Sequence, residues 1–262
     1  MSSACVGFDL PRDAVATVGG PSRGYIRGRG VSMPDSGPGF VRARPGEDTR
    51  FGTSGLIEAI REAARAVMQR FAGTRPIRVG DLSAPYGGRH GRHHSHRSGR
   101  DADIIYYAMD EGGAPIDGAG FFAYDRFGVA RDARDAHAEL QFLDEARNWH
   151  FMRTLLLDDE RPIQWIFCSA GVKTRLLTWA LAHERNPEVL WRATYVLHQP
   201  TDGRPHDDHF HIRLACTAQT RAEGCVDGGP VWPWFNERTV KPAPDLPFAN
   251  DDASLIHALL DD

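Results

Sequence analysis

HDDHFHIRLAC, residues 206–216, is a short apolar run with three histidines at its head, bounded before it by the turn residues PTDGRP. The β-branched and apolar content from His209 to Cys216 predicts a strand. Side chains alternate along a strand, so His209 and His211 must project from one side and Phe210 and Ile212 from the other. About a hundred residues earlier lies RHHSHRSGRDADI, Arg92 to Ile104. There His96 and Asp103 are separated by a loop containing Gly99, and DADIIYYAM reads as a second strand entered through a loop with glycines at 87, 88, 91 and 99. Such a loop lets the chain turn an imidazole back beside a carboxylate on the strand.

The chemistry this pattern suits is metal-assisted hydrolysis. A catalytic zinc takes three protein ligands of nitrogen or carboxylate oxygen and keeps a fourth position for water. His96, Asp103 and His211 supply such a set, and His209, two residues from a ligand on the same face, stands where a base would take the water's proton. Each residue has a plainer reading. Any one of twelve histidines can be a surface or hydrogen-bonded core residue, DADI can be a solvated strand end, and RHHSHR can be an anion-binding loop. The joint occurrence of HxxxxxxD with a later HxH favours the metal site.

Composition narrows the function classes. The chain has 262 residues, 41% hydrophobic and 25% charged, with 27 Gly and 17 Pro, which predicts a loop-rich, mixed, globular fold. A net charge of -4 gives no electrostatic reason to expect nucleic acid. No stretch approaches the roughly 20 apolar residues of a membrane-spanning helix. The opening MSSACVGFDLPRD lacks the basic-then-apolar pattern of a secretory signal, although a trimmed mature end reads the same way. Four cysteines are present, at 5, 168, 216 and 225. Cys216 and Cys225 enclose a polar loop that suits either a disulfide or two free thiols, and no CxxC pair suggests cysteine-ligated zinc. Cys5 and Cys168 have no assigned partner.

Three segments are expected: a loop-rich stretch over 1–50 packed on the body, a catalytic domain over 51–235 and a tail over 236–262. Helical spacing from Thr53 through Leu56, Ile60, Ala64, Val67 and Phe71 predicts a helix with Gly73 at its C-cap. IRVGDL reads as a strand, residues 110–138 as hairpins or an excursion, and LDEARNWHFMRTLLLDD as a helix capped by Asp144. IQWIFC reads as a buried strand, and helices are expected after Ser169 and over Glu188 to Tyr195.

GDLSAPYGGRHGRHHSHRSGRDADI and HDDHFHIRLAC together resemble the motif blocks of penicillin-insensitive murein endopeptidases, within the lysostaphin, D-Ala-D-Ala metallopeptidase and hedgehog superfamily. The similarity extends more loosely from GYIRGRG to VWPWF. It implies an α+β fold with a central antiparallel sheet carrying the zinc site, flanked by helices and long loops. It also implies zinc bound by His96, Asp103 and His211, with His209 catalytic and His206 a further active-site histidine. His93 matches a histidine near the metal, as extra ligand or support, and Asp101 suits a partner that orients a ligand. His90 and His94 match nothing and are expected to be solvated. Of the disulfides found in relatives, only the Cys216–Cys225 loop has its cysteines here.

The implied activity is hydrolysis of peptide cross-links in peptidoglycan, at the D-alanyl to diaminopimelyl amide, outside the cytoplasm in the periplasm or as a secreted protein. The alternatives are a D-Ala-D-Ala carboxypeptidase of the same superfamily and a non-catalytic, zinc-stabilised wall-binding module.

Overall fold

A computed structural model describes residues 15–117, 120–132, 134–135, 137–201 and 203–235. Cys5 and the tail expected over 236–262 lie outside the described residues. The stretch before residue 50, expected to be looping chain, supplies short strands: β1 (Ala16–Val18), β2 (Tyr25–Arg27), β3 (Val31–Ser32), β4 (Ser36–Gly37) and β5 (Phe40–Arg42). Then come β6 (Phe51–Gly52), α1 (Ser54–Arg70), β7 (Ile77–Val79), β8 (Asp101–Ile105), β9 (Ala108–Met109), β10 (Pro115–Ile116), β11 (Val129–Ala130) and β12 (Gln141–Leu143). The remainder is α2 (Glu145–Leu156), β13 (Ile163–Phe167), α3 (Ala170–His183), α4 (Pro187–Val196), β14 (Leu197–His198), β15 (His209–Leu214) and α5 (Ala218–Ala222). The architecture is α+β.

The helices begin where their capping residues require. Thr53, Asp144 and Ser169 accept backbone N–H bonds from Leu56, Arg147 and Val172, satisfying donors that the first turn leaves open. One end differs from expectation. Helix α1 stops before Gly73, because Phe71 turns to extended backbone and sets its ring edge-on to His150, 5.6 Å away. Gly73 instead takes φ +69° in the turn beyond.

The main sheet has strand order β14-β13-β15-β8-β7-β5-β4. It is mixed, which corrects the expected antiparallel sheet. The inner strands β13, β15, β8 and β7 are antiparallel neighbours, but β14 runs parallel to β13 and β5 parallel to β7. The cause is connectivity: parallel neighbours need a crossover, which α3 with α4 supplies for the first pair and α1 for the second.

Alternation then sorts the side chains. Ala102, Ile104, Phe210, Ile212 and Ile166 are fully buried in a core shared with Leu56, Ile60, Trp149, Met152 and Leu176 of the helices. Asp101, Asp103, His209, His211 and Arg213 therefore share the opposite face.

DADIIYYAM does not continue as one strand. It breaks between β8 and β9, which lie in different sheets. At the break the Asn148 side chain accepts from Tyr107 N at 3.0 Å and donates to Tyr107 O at 2.8 Å, so an amide from α2 takes the place of a ladder partner.

Candidate metal centre

The register of the two inner strands builds the site. His211 pairs across from Asp103, and Arg213 from Asp101. The glycine-rich loop delivers His96: Gly87, at φ +66°, passes so close to Arg97 O that a Cβ there would sit 2.1 Å from it, and Gly99, at φ +76°, accepts from Thr53 N. Among the described residues only two that are not glycine adopt positive φ, His96 at 61° and His206 at 54°. Both belong to this site, where left-handed backbone aims the rings inward at a conformational cost.

Asp103 Oδ1 is the focus. His96 Nε2 lies 3.2 Å from it, His209 Nε2 3.3 Å and His211 Nδ1 3.7 Å. Two atoms each bonded to a tetrahedral zinc at about 2.0–2.1 Å lie about 3.3 Å apart, a spacing that the His96 and His209 nitrogens match and that His211 Nδ1 exceeds by a few tenths of an ångström. Asp103 and His96 are fully buried, and both Asp103 Oδ1 and His96 Nε2 lack a hydrogen-bond partner. Unpartnered polar atoms of this kind cost a few kcal/mol each when buried. A cation bonded to both would remove that cost.

The remaining ring nitrogens are occupied. His96 Nδ1 bonds to Leu82 O at 3.2 Å, and His211 Nε2 bonds to Asp101 Oδ1 at 2.8 Å, leaving His96 Nε2 and His211 Nδ1 turned toward Asp103. Asp101 also receives Arg213 Nε at 2.7 Å. Partners of this type fix the tautomer of a ligand histidine.

His93, His96 and Asp103 each present an atom within 4.8 Å of the others, a group that can hold a metal ion. His93 Nε2, however, is engaged by Asp81 Oδ2 at 2.9 Å and stands 3.7 Å from Asp103. The same nitrogen is therefore shared between Asp81 and the neighbourhood of Asp103.

The sequence reading passed over two residues. Asp81, buried at the end of IRVGD, gathers Thr49, Arg44 and His93. Asp208 bonds to His209 Nδ1, so that Nε2 is the nitrogen facing Asp103. Neither carries a periodic signal; each is one acidic residue inside a motif block, with no spacing that singles it out. His94 is exposed as expected, whereas His90 is half-buried with its ring edge-on to His93 at 5.2 Å. The loop folds back on itself there, which covers the ring.

Electrostatics follow from the crowding. Burial opposes charge on Asp103, but the His96 and His209 imidazoles outweigh it and hold the carboxyl well below its usual range. Burial likewise opposes charge on His209, yet Asp103 and Asp208 lift it to about 10. Burial lowers His211 to about 3, helped by His96, and His206 to about 4, helped by His209. The His206 ring lies tilted against His209 with centroids 5.1 Å apart, and its backbone carbonyl accepts from Tyr106 Oη at 2.8 Å. Cys216 and Cys225 form a disulfide next to β15, and Cys168 is a buried free thiol.

A family model described as penicillin-insensitive murein endopeptidase matches residues 17–233. A penicillin-insensitive murein endopeptidase of Haemophilus influenzae is 27% identical over 221 residues, covering 82% of this chain and 68% of that protein. One of Klebsiella pneumoniae is 35% identical over 90 residues, 34% of this chain and 32% of its own length.

Proposed function

The chain belongs to the penicillin-insensitive murein endopeptidase family, matched over most of its length, and from that premise we propose that it is a zinc-dependent peptidase cleaving the D-alanyl to diaminopimelyl amide that cross-links peptidoglycan. The observation that carries the metal dependence is the convergence of three imidazole nitrogens on the buried, unpartnered Asp103 Oδ1.

In this reading His96 Nε2, Asp103 and His211 Nδ1 hold the ion, Asp101 keeps His211 in the required tautomer, and His93 supports the site from its place on Asp81. When bound, zinc supplies Lewis acidity toward water and carbonyl oxygen. His209 accepts the proton of the attacking water through Nε2 and returns it to the departing amine, with Asp208 steadying the imidazolium through Nδ1. His206, neutral at working pH because burial lowers it to about 4, donates a hydrogen bond to the developing oxyanion. The reacting group is water rather than an activated serine, so a β-lactam finds no nucleophile to acylate.

Cross-linked peptidoglycan lies outside the cytoplasm, and a Cys216–Cys225 disulfide suits an oxidising compartment. No helix among the described residues is long and apolar enough to cross a membrane.

The test is mass spectrometry of cross-linked muropeptides after digestion. Dimers are expected to become monomers with the stem peptides otherwise intact, in the presence of penicillin and not in the presence of a chelator. Release of terminal D-alanine alone points to the carboxypeptidase, and full activity of metal-stripped protein defeats the zinc mechanism.

Metal uptake should also depend on pH in a defined direction. Burial opposes charge on both His96 and His209, but Asp103 outweighs it and raises both, His209 to about 10, so the metal-free protein favours protons on these rings. A cation at Asp103 displaces them, and affinity therefore rises with pH. Calorimetric titration with zinc in buffers of different ionisation heat is expected to report net proton release. Zero release at pH 7 contradicts the assignment.

A further inference from the structure

The site lies in a cleft of about 1570 Å³ that crosses the face of the main sheet. On the β7 side its arginines are spent: Arg44 pairs with Asp81 and Arg92 with Glu47. On the β13 side Arg213 is spent on Asp101 and lies over the Phe167 ring at 5.2 Å. Two more arginines line this cleft, Arg23 and Arg204. Both are exposed, and among the described residues neither guanidinium makes a hydrogen bond, ion pair or ring contact. Asp207 feels the charge of Arg204, but no ion pair joins them. The cleft is also lined by aromatic rings: Trp165 and Phe167 stack at 5.7 Å with 25° between their planes. Arg204 is two residues from His206, whose ring lies tilted against His209, 5.1 Å away.

We propose that Arg204, with Arg23 as its second arm, binds a free carboxylate on the substrate carbon next to the scissile nitrogen, while the Trp165–Phe167 pair takes the methylenes of the same residue. This deepens and rests on the proposed function, since a diaminopimelyl residue acylated at one amine keeps a carboxylate beside that amine and a methylene chain beyond it. A guanidinium recognises a carboxylate through paired charge-assisted bonds that neither an amide nor an alcohol reproduces. Unpaired arginines at the rim of a cleft whose other cations are neutralised are the feature this recognition needs. Steering of an acidic substrate toward the cleft follows from the same charges.

The test uses acetyl-D-alanyl-diaminopimelic acid, linked through the D-alanyl carbonyl, and its carboxamide at the carboxyl next to that linkage. Wild-type protein is expected to favour the acid by about tenfold or more in kcat/KM, the usual worth of a hydrogen-bonded charge. Arg204→Gln should bring that ratio toward unity through KM rather than kcat, Arg204→Lys should restore part of it, and Arg65→Gln on the far surface of α1 should keep it. Binding of both probes to His209→Gln protein, measured by calorimetry, separates recognition from turnover. If neither probe is hydrolysed yet the acid binds more tightly than the amide in an Arg204-dependent way, the murein reading fails and the carboxylate site stands. Equal treatment of acid and amide by wild type, or an unchanged preference in Arg204→Gln, overturns the proposal.

Discussion

Asp103→Asn is expected to abolish both zinc retention and muropeptide cleavage, lowering kcat/KM by about 10³-fold or more, the several kcal/mol that Lewis-acid assistance contributes. The substitution keeps the volume of the side chain and removes its charge. Asp103 is buried with the His96 and His209 imidazoles facing it, so its charge is the one set directly among the proposed ligands. Asp101→Asn provides the contrast. Asp101 touches His211 and Arg213 rather than the reacting centre, so zinc affinity should fall by the 10- to 100-fold range typical of partners that orient a ligand. That variant should also melt earlier, since it leaves the buried Arg213 guanidinium without its carboxylate. Zinc content by plasma emission and melting by circular dichroism check the pair. Equal metal loss in both variants would remove the distinction drawn between ligand and support.

His209→Gln is the second large effect, in the opposite pattern. His209 reaches Asp103 Oδ1 through Nε2 at 3.3 Å, but in the proposed mechanism it takes the proton rather than the ion. Zinc should stay bound at full stoichiometry while turnover falls about 10²- to 10⁴-fold, the range for loss of a general base, with KM little changed. Asp208→Asn, which alters only the partner of Nδ1, should fall between this variant and wild type. Loss of zinc on changing His209 would make it a ligand.

The sequence made legible those parts of the structure that rest on local rules. Alternation over 209–212 placed two histidines on one face and two apolar residues in the core because period 2 is intrinsic to a strand. Asp144 announced its helix as a cap, because a capping side chain acts within three residues of itself, and helical spacing placed the helices that begin after Thr53 and Ser169. The parts that stayed hidden depend on distant chain. β8 ends where Asn148, 41 residues on, captures Tyr107. Strands of two or three residues such as β3 and β4 have no room to display a period, so the N-terminal stretch read as loop. The parallel edges β14 and β5 follow from which helices return the chain, and that is a property of topology. At the site, His96 and Asp103 could be singled out by spacing, whereas Asp81 acts through Thr49, Arg44 and His93, which folding brings to it, and Asp208 acts on the adjacent His209 only because folding orients that ring.

Anomalous diffraction at the zinc edge from crystals grown with one equivalent of zinc bears most directly on the central claim. A single strong peak is expected within about 2.0–2.2 Å of His96 Nε2, an Asp103 carboxylate oxygen and His211 Nδ1, with His209 beside it and uncoordinated. A peak held by His93 and Asp81 without His211, or no peak at Asp103, would contradict it.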